Sequence, residues 1–227
     1  MGYLPIFLNL EGRRCLVVGG GEVAERKVTA LLDAGAQVRL VSPALTPVLR
    51  QLSASGSVEY LPRAWEPGDL SECVLAFAAT DDRELHCAIA AEARALGVPL
   101  NVADEPDLCD FISPSVVRRG DLQIAISTSG ASPALASRMR RDLEAMVGAE
   151  YETVTSIMRA VRLHLQAHER DPRERARILQ AIARSEIASL VREEDWAGLD
   201  SLLRTHLRLG LDRLGIERIE GLRGRTV

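Results

Sequence analysis

The segment CLVVGGGEVAERKVTALLDAGAQVRLVSP, Cys15 to Pro43, constrains the fold more than any other stretch of the chain. Leu16, Val17 and Val18 are apolar without alternation, the pattern of a strand buried on both faces. That strand runs straight into Gly19, Gly20 and Gly21 and then Glu22-Val23-Ala24. Val23, Val28, Leu31 and Leu32 follow at helical spacing, and Gly35 is a natural C-terminal stop. A second apolar strand, Val38 to Val41, ends before Pro43. The segment fits G-x-G-x-x-A, with Gly19, Gly21 and Ala24 at the small positions. Glycines at such a turn let backbone N–H groups approach a pyrophosphate, and the helix N-terminus adds unpaired donors and a positive dipole end. Set between a strand and a helix, the motif predicts dinucleotide binding against the alternative of a plain βαβ crossover. The acidic residue expected about 20 residues on, which would hold a ribose 2′-hydroxyl, is absent. Ser42-Pro43-Ala44 stands there, so the code fits NAD and NADP alike. Arg39 lies inside the second strand and reads as a solvated side chain.

The same alternation continues to about residue 110. A helix is expected from beyond Pro43 to Ala54, a short strand at Ser57–Pro62, a buried strand from Cys73 to Thr80, a helix capped by Asp81-Asp82 and reaching Leu96, and a strand from Pro99 to Val102. This is the doubly wound parallel pattern, in which ligands bind beyond the carboxyl ends of strands. Those ends are Gly19–Gly21, Ser42–Ala44, Ala79–Asp81 (including Thr80) and Asn101–Asp104. The pattern then changes. Residues 111–130 read as two extended segments joined at Arg119-Gly120-Asp121, and Ser132-Pro133 is a helix start. Leu135, Met139, Leu143 and Met146 form an apolar stripe on that helix. Beyond residue 150 every stretch reads as helix. Tyr151, Val154, Met158, Val161 and Leu165 make one face, Ile178, Ile182 and Ile187 another, and Leu199, Leu202, Leu203, Leu207 and Leu211 a third. The division expected is 1–113, 114–150 and 151–227. The fold class is α/β: a Rossmann-type doubly wound parallel sheet, a hairpin-plus-helix unit and an all-helical C-terminal region.

Composition narrows the partners. Residues 1–112 carry 9 Lys and Arg against 16 Asp and Glu, whereas residues 113–227 carry 19 against 16. No basic stripe interleaved with aromatics appears, so nucleic acid is not an expected partner. No apolar run approaches the ~20 residues of a membrane span, and the N-terminus lacks a signal-peptide pattern. A cytoplasmic protein is expected. Cys15, Cys73, Cys87 and Cys109 form no close pair, and buried thiols are the ordinary reading for the first two. His164 and His168 lie four apart on one helix without an evident third ligand, so no metal site is assigned. Lys27 is the single lysine; the other 27 basic residues are arginine, which grips carboxylates as a fork.

LPIFLNLEGRRCLVVGGGEVAERK, FAATDD and NVADEPDLCDFISPSVVRRGDLQIAISTSGASPALA together resemble the precorrin-2 dehydrogenase family, which includes the N-terminal part of siroheme synthases. The resemblance spans residues 1–150, and the helical remainder fits more loosely. It implies NAD-dependent oxidation of precorrin-2 to sirohydrochlorin by a homodimer assembled through residues 114–150. Some family members also insert Fe²⁺; a dehydrogenase alone is the preferred expectation. Carried over by residue, the resemblance sets Gly19, Gly20, Gly21, Glu22 and Val23 against the cofactor pyrophosphate and Pro43-Ala44 beside the adenosine ribose. It makes Asp104 the key carboxylate, a proton acceptor, where residue chemistry alone offers a turn. Asn101, Ser127, Thr128 and Ser129, with Arg118 and Arg138 from a cluster that also holds Arg119, Arg140 and Arg141, are candidates for the substrate and its carboxylates. Thr128 departs from the serine common in siroheme synthases and keeps a hydroxyl. Because the chain ends at Val227, the methyltransferase domain fused behind this module in siroheme synthases is expected to be absent, with precorrin-2 supplied by a separate enzyme. The competing reading is a non-catalytic nucleotide-sensing module whose helical tail contacts a partner. It leaves Asp104 and STSGASP without a role.

Overall fold

The computed structural model describes residues 2–214. The chain divides into two units, Met1–Ser113 and Pro114–Val227. The first begins with β1 (Arg14–Val18), α1 (Glu22–Asp33), β2 (Gln37–Val41), α2 (Pro47–Ala54) and β3 (Val58–Leu61). It continues with β4 (Leu75–Ala78), α3 (Arg83–Leu96), β5 (Leu100–Val102) and a 3₁₀ turn at Pro106–Leu108. The five strands form one sheet in the order β3-β2-β1-β4-β5, every pair parallel. The order reverses between β1 and β4, the crevice where doubly wound sheets take their ligands.

The unalternating apolar strands have the explanation expected of them. Cys15 and Val17 of β1 pack with Ala24, Val28 and Leu31 of α1, and with Leu49 of α2, on one face. Leu16 and Val18 pack with Ile89, Ala90 and Ala93 of α3 on the other. A central strand sandwiched this way, as β1 is, leaves little room for a polar alternate. Local chemistry sets the ends. Asp82 caps α3 by accepting from Leu85 N at 3.1 Å, while α2 starts at Pro47 because Thr46 caps it. It is therefore shorter than the pattern beyond Pro43 suggests. β4 too is shorter than the apolar run Cys73–Thr80.

Arg39 is not solvated. Its register partner across β2 and β3 is Glu59, with which it forms an ion pair, and it also donates to Asp69 O at 3.2 Å. The β3–β4 connection closes around that buried Asp69. Arg63 donates to both of its carboxylate oxygens, at 2.7 and 2.8 Å, and Glu66 N donates at 2.9 Å. The Arg63 bonds hold the Asp69 carboxyl below the usual carboxylate range. Two thiols are buried in the same unit. Burial raises Cys15 to about 11 and pushes Cys73 upward.

The second unit opens with the hairpin β6 (Ser115–Arg119) and β7 (Leu122–Ile126). Arg119 pairs with Leu122, so the turn is only Gly120-Asp121. The helices are α4 (Pro133–Met146), α5 (Glu150–His168), α6 (Pro172–Ala183), α7 (Ile187–Arg192) and α8 (Trp196–Leu207), followed by a 3₁₀ turn at Leu211–Leu214. Val154, Ile157, Val161 and Leu165 of α5 share one core with Ile178, Ile182, Ile187, Val191, Leu199 and Leu203. Ile187 belongs to α7 rather than to the helix of Ile178 and Ile182, and Leu211 lies in the 3₁₀ turn. The hairpin is tied to the helices that follow. Arg119 donates to Val147 O at 3.0 Å and Glu144 O at 3.2 Å, filling acceptors at the end of α4, and Asp121 pairs with Arg159 of α5.

Asp69 supplies a stability prediction. Asp69→Asn removes a buried, charge-assisted acceptor and lowers unfolding stability by about 2 kcal/mol near pH 7. A carboxyl whose folded pKa lies below its unfolded value stabilises the fold above the unfolded value of about 3.9 and loses that contribution as pH falls through the folded one. Urea unfolding of the two proteins should therefore show a gap that is constant at neutral pH and narrows below about pH 4.

Candidate functional site

Four loops meet at the carboxyl edge of the parallel sheet. Gly19–Gly21 follows β1, Ser42–Ala44 follows β2, Ala79–Asp81 follows β4, and Ala103-Asp104 follows β5. Backbone bonds carry the ladder into these loops: Gly19 N to Val41 O at 2.9 Å, Ala79 N to Val18 O at 2.8 Å, Ala103 N to Ala78 O at 2.9 Å, and Thr46 N to Gly20 O at 3.0 Å.

The three glycines do different work. Gly19 has φ +117°, and a Cβ there would overlap Ala79 O. A Cβ on Gly20 would overlap Ala44 O and press on Ser42 Oγ. Both are demanded by the fold. Gly21 has an ordinary φ of −86° and nothing within 4 Å of where its Cβ would be. It is the N-cap of α1, yet no side chain caps this helix, whereas Thr46, Asp82, Ser132, Asp171 and Asp195 cap five others. The first N–H groups of α1, from Glu22, Val23 and Ala24, thus keep their donors beside an open face. Glu25, a possible competitor in the first turn, is held by Thr46 Oγ1 at 2.6 Å. A dinucleotide pyrophosphate fits this arrangement of bare donors, open space and a positive helix end.

Pro43 and Ala44 are exposed at the next strand end. Buried Ser42 is spent within its own turn, donating to Ala44 O at 2.7 Å. Thr80 is half-buried beside Gly19, its Oγ1 3.0 Å from His86 Nε2. Asp104 is exposed, has φ +58°, and its carboxylate has no hydrogen bond or ion pair among the described residues. Aspartate is among the few residues that adopt this left-handed conformation readily. Asn101 turns its Nδ2 inward to Phe111 O at 2.9 Å, tying β5 to the segment after it.

The remaining candidates lie in the second unit. Ser127, Thr128 and Ser129 form a tight loop before α4. Ser127 Oγ accepts from Ser129 N and Thr128 Oγ1 from Ser132 N, each at 3.0 Å, which leaves both hydroxyl hydrogens for other acceptors. Arg118 is exposed on β6. Arg138 is exposed on α4, with Asp142 3.7 Å away. Arg119 and Arg140 are committed internally, to the end of α4 and to Glu144. His164 and His168 stack with ring centroids 4.2 Å apart, and no group of three metal-ligating side chains occurs among the described residues.

Two residues near the first unit's site were assigned no role from the sequence. Lys27 Nζ donates to Ser113 Oγ at 2.8 Å and lies 4.9 Å from the centroid of the Phe77 ring; burial lowers its pKa. His86 is 3% exposed. Spacing carried a signal for each. Lys27 is one helical turn beyond Val23, and His86 precedes Ile89, Ala90 and Ala93 by three, four and seven residues, on the buried stripe of α3.

Comparison with known proteins agrees with this geometry. Residues 6–115 match a family described as "Putative NAD(P)-binding", and residues 119–146 one described as "Sirohaem biosynthesis protein central". The chain is 38% identical over 212 residues to the siroheme synthase of Thioalkalivibrio sulfidiphilus, covering 93% of this chain and 43% of that protein. It is 42% identical over 188 residues to that of Azotobacter vinelandii, covering 83% and 40%. The chain thus spans less than half the length of these relatives. Among solved structures, SirC, a precorrin-2 dehydrogenase, superposes with a TM-score of 0.68 at 25% identity, over 85% of this chain and 96% of that one. No helix among the described residues is long and apolar enough to cross a membrane.

The division among the glycines is directly testable. Gly21→Asp puts a negative side chain into the open face without a backbone clash, so NAD⁺ affinity measured by calorimetry should fall at least tenfold while the melting temperature changes little. Gly20→Ala should do the reverse in order of severity, destabilising the fold before any ligand is added, because the overlapping atom is backbone.

Proposed function

We propose that this chain belongs to the precorrin-2 dehydrogenase family and oxidises precorrin-2 to sirohydrochlorin with NAD⁺ in siroheme biosynthesis. The observation that carries this reading is the likeness to a precorrin-2 dehydrogenase over nearly the whole of that protein, with the glycine turn intact and open here. On this reading Gly19 to Val23 hold the cofactor pyrophosphate through backbone N–H groups, and Pro43, Ala44 and Thr80 border it at adjoining strand ends. Bound NAD⁺ supplies the hydride acceptor.

The chain's own part is to orient the substrate and receive the proton released with the hydride. Asp104 suits that role: its carboxylate is exposed at a strand end and is not spent on any partner among the described residues. Within the second unit, Arg118 and Arg138, with Ser127, Thr128 and Ser129, are the groups proposed to hold substrate carboxylates; Asn101, on β5 of the first unit, is the residue proposed there for the substrate. Arg138 supports this assignment because its contact with Asp142 is long and solvated, and such a pair yields readily to a better-placed carboxylate.

The same reading makes the protein a homodimer through residues 114–150. A two-stranded hairpin is marginal by itself, and α4 leaves Leu135, Met139 and Met146 exposed at 48%, 44% and 74%. An apolar stripe of this kind on a helix beside an exposed sheet edge is suited to a second copy related by twofold symmetry.

Two experiments bear on the proposal. With NAD⁺ and precorrin-2, Asp104→Asn should form NADH at least tenfold more slowly than the wild type while binding NAD⁺ equally well, the effect of removing a general base. Undiminished NADH formation in the folded variant would return Asp104 to the role of a turn residue. In sedimentation at micromolar concentration the wild type should run as a dimer and Met139→Asp as a monomer; a monomeric wild type excludes the assembly.

A further inference from the structure

The pair Thr80 and His86 has a polarity fixed by what surrounds it. His86 is buried on α3, and its Nδ1 has no hydrogen-bond partner among the described residues. A neutral imidazole carries one N–H and one lone pair. Leaving a lone pair unused in a buried place is more readily tolerated than leaving an N–H unused, because orphaned buried donors are the rarer defect. On that ground the proton is assigned to Nε2, so that Nε2 is the donor and Thr80 Oγ1 the acceptor of the 3.0 Å contact between them. Thr80 Oγ1 also accepts, at 3.4 Å, from Asp82 N. A hydroxyl oxygen has two acceptor positions and one hydrogen. With both acceptor positions used, the Thr80 hydrogen has to point away from α3, and no acceptor among the described residues takes it.

Thr80 follows β4, beside the crevice where the strand order reverses. Its Cγ2 lies about a van der Waals contact, 3.4 Å, from where a Cβ on Gly19 would be. Its neighbour on the β1 side is thus the turn that leads to the bare N–H groups of α1. We propose that His86 is a positioning residue: it locks the Thr80 hydroxyl as a donor directed at an acceptor oxygen of the bound dinucleotide. The assignment rests on the cofactor reading above and adds a specific group to it. Its distinctive content is the tautomer. Were Nδ1 the protonated atom, Thr80 would donate to His86 and present only a lone pair to the ligand, an interaction that phosphate, hydroxyl-acceptor and carbonyl oxygens reject.

Ring ¹⁵N shifts of His86 in the cofactor-free protein read the tautomer directly. Nε2–H with an unprotonated Nδ1 is expected, and an Nδ1–H ring overturns the lock whatever the protein binds. NAD⁺ affinity reads its consequence. Thr80→Ser should bind as the wild type does, whereas Thr80→Val should lose about tenfold, the value of one neutral hydrogen bond. His86→Gln can present an amide N–H near the position of Nε2 and should keep most of the affinity; His86→Leu should match Thr80→Val. If His86→Leu does not fold, Thr80→Val against Thr80→Ser still decides. Unchanged affinity in Thr80→Val overturns the proposal. A wild-type protein that binds no NAD⁺ overturns the cofactor reading and with it the named acceptor, while the ring spectrum separately decides the tautomer, so the two failures are told apart.

Discussion

The backbone contact at Gly19 and Gly20 is the constraint on which the first unit depends. Two carbonyl oxygens from neighbouring strand ends, Ala79 O and Ala44 O, occupy the volume that side chains at these positions would need. The turn after β1 is therefore clamped between the ends of β2 and β4, and the clamp fixes where α1 begins. Because α1 starts at that place with no side-chain cap, its free donors face outward from the carboxyl edge of the sheet. Close packing and ligand chemistry are one arrangement here: the glycines that let the strands converge also leave the helix end bare.

Much of this was legible in the sequence, and for physical reasons. A parallel sheet covered on both faces writes nearly continuous apolar runs, so β1 and β4 could be read directly from Leu16–Val18 and the run around Phe77, and β2 from Val38, Leu40 and Val41 despite Arg39 between them. Caps were equally plain at Asp82 and Ser132, where a short polar side chain precedes a helix. The motif spacing of G-x-G-x-x-A was less informative about roles. It marks Gly19 and Gly21 as the pair of interest, yet the tightest approaches belong to Gly19 and Gly20, and only Ala44 folding back from β2 reveals this. Helix breaks between Ile182 and Ile187 were hidden because the apolar period continues across them.

Side chains that act across long sequence separations were the least legible. Arg39 finds Glu59 only through the register of β2 on β3, and no local pattern announces that pairing. The inward turn of Asn101 toward Phe111 and the ties of Arg119 to the end of α4 are likewise products of tertiary placement. A basic cluster in sequence thus separates into arginines that brace the unit and arginines that face outward. Lys27 and His86 sat at positions whose spacing showed burial, but burial alone does not distinguish a core residue from one that orients a neighbour.

The cysteines of the first unit give the protein an internal chronometer of its own opening. Cys87 is exposed, Cys109 half-buried, and Cys15 and Cys73 buried. Only thiolate reacts with electrophiles, and burial holds the Cys15 thiol near 11. Alkylation in the native state accordingly proceeds in an order written by the architecture: α3's outer surface first, the strand interior last. Because Cys15 lies in the central strand, its labelling requires that the sheet itself part, and the rate of that labelling counts openings that surface thiols never register.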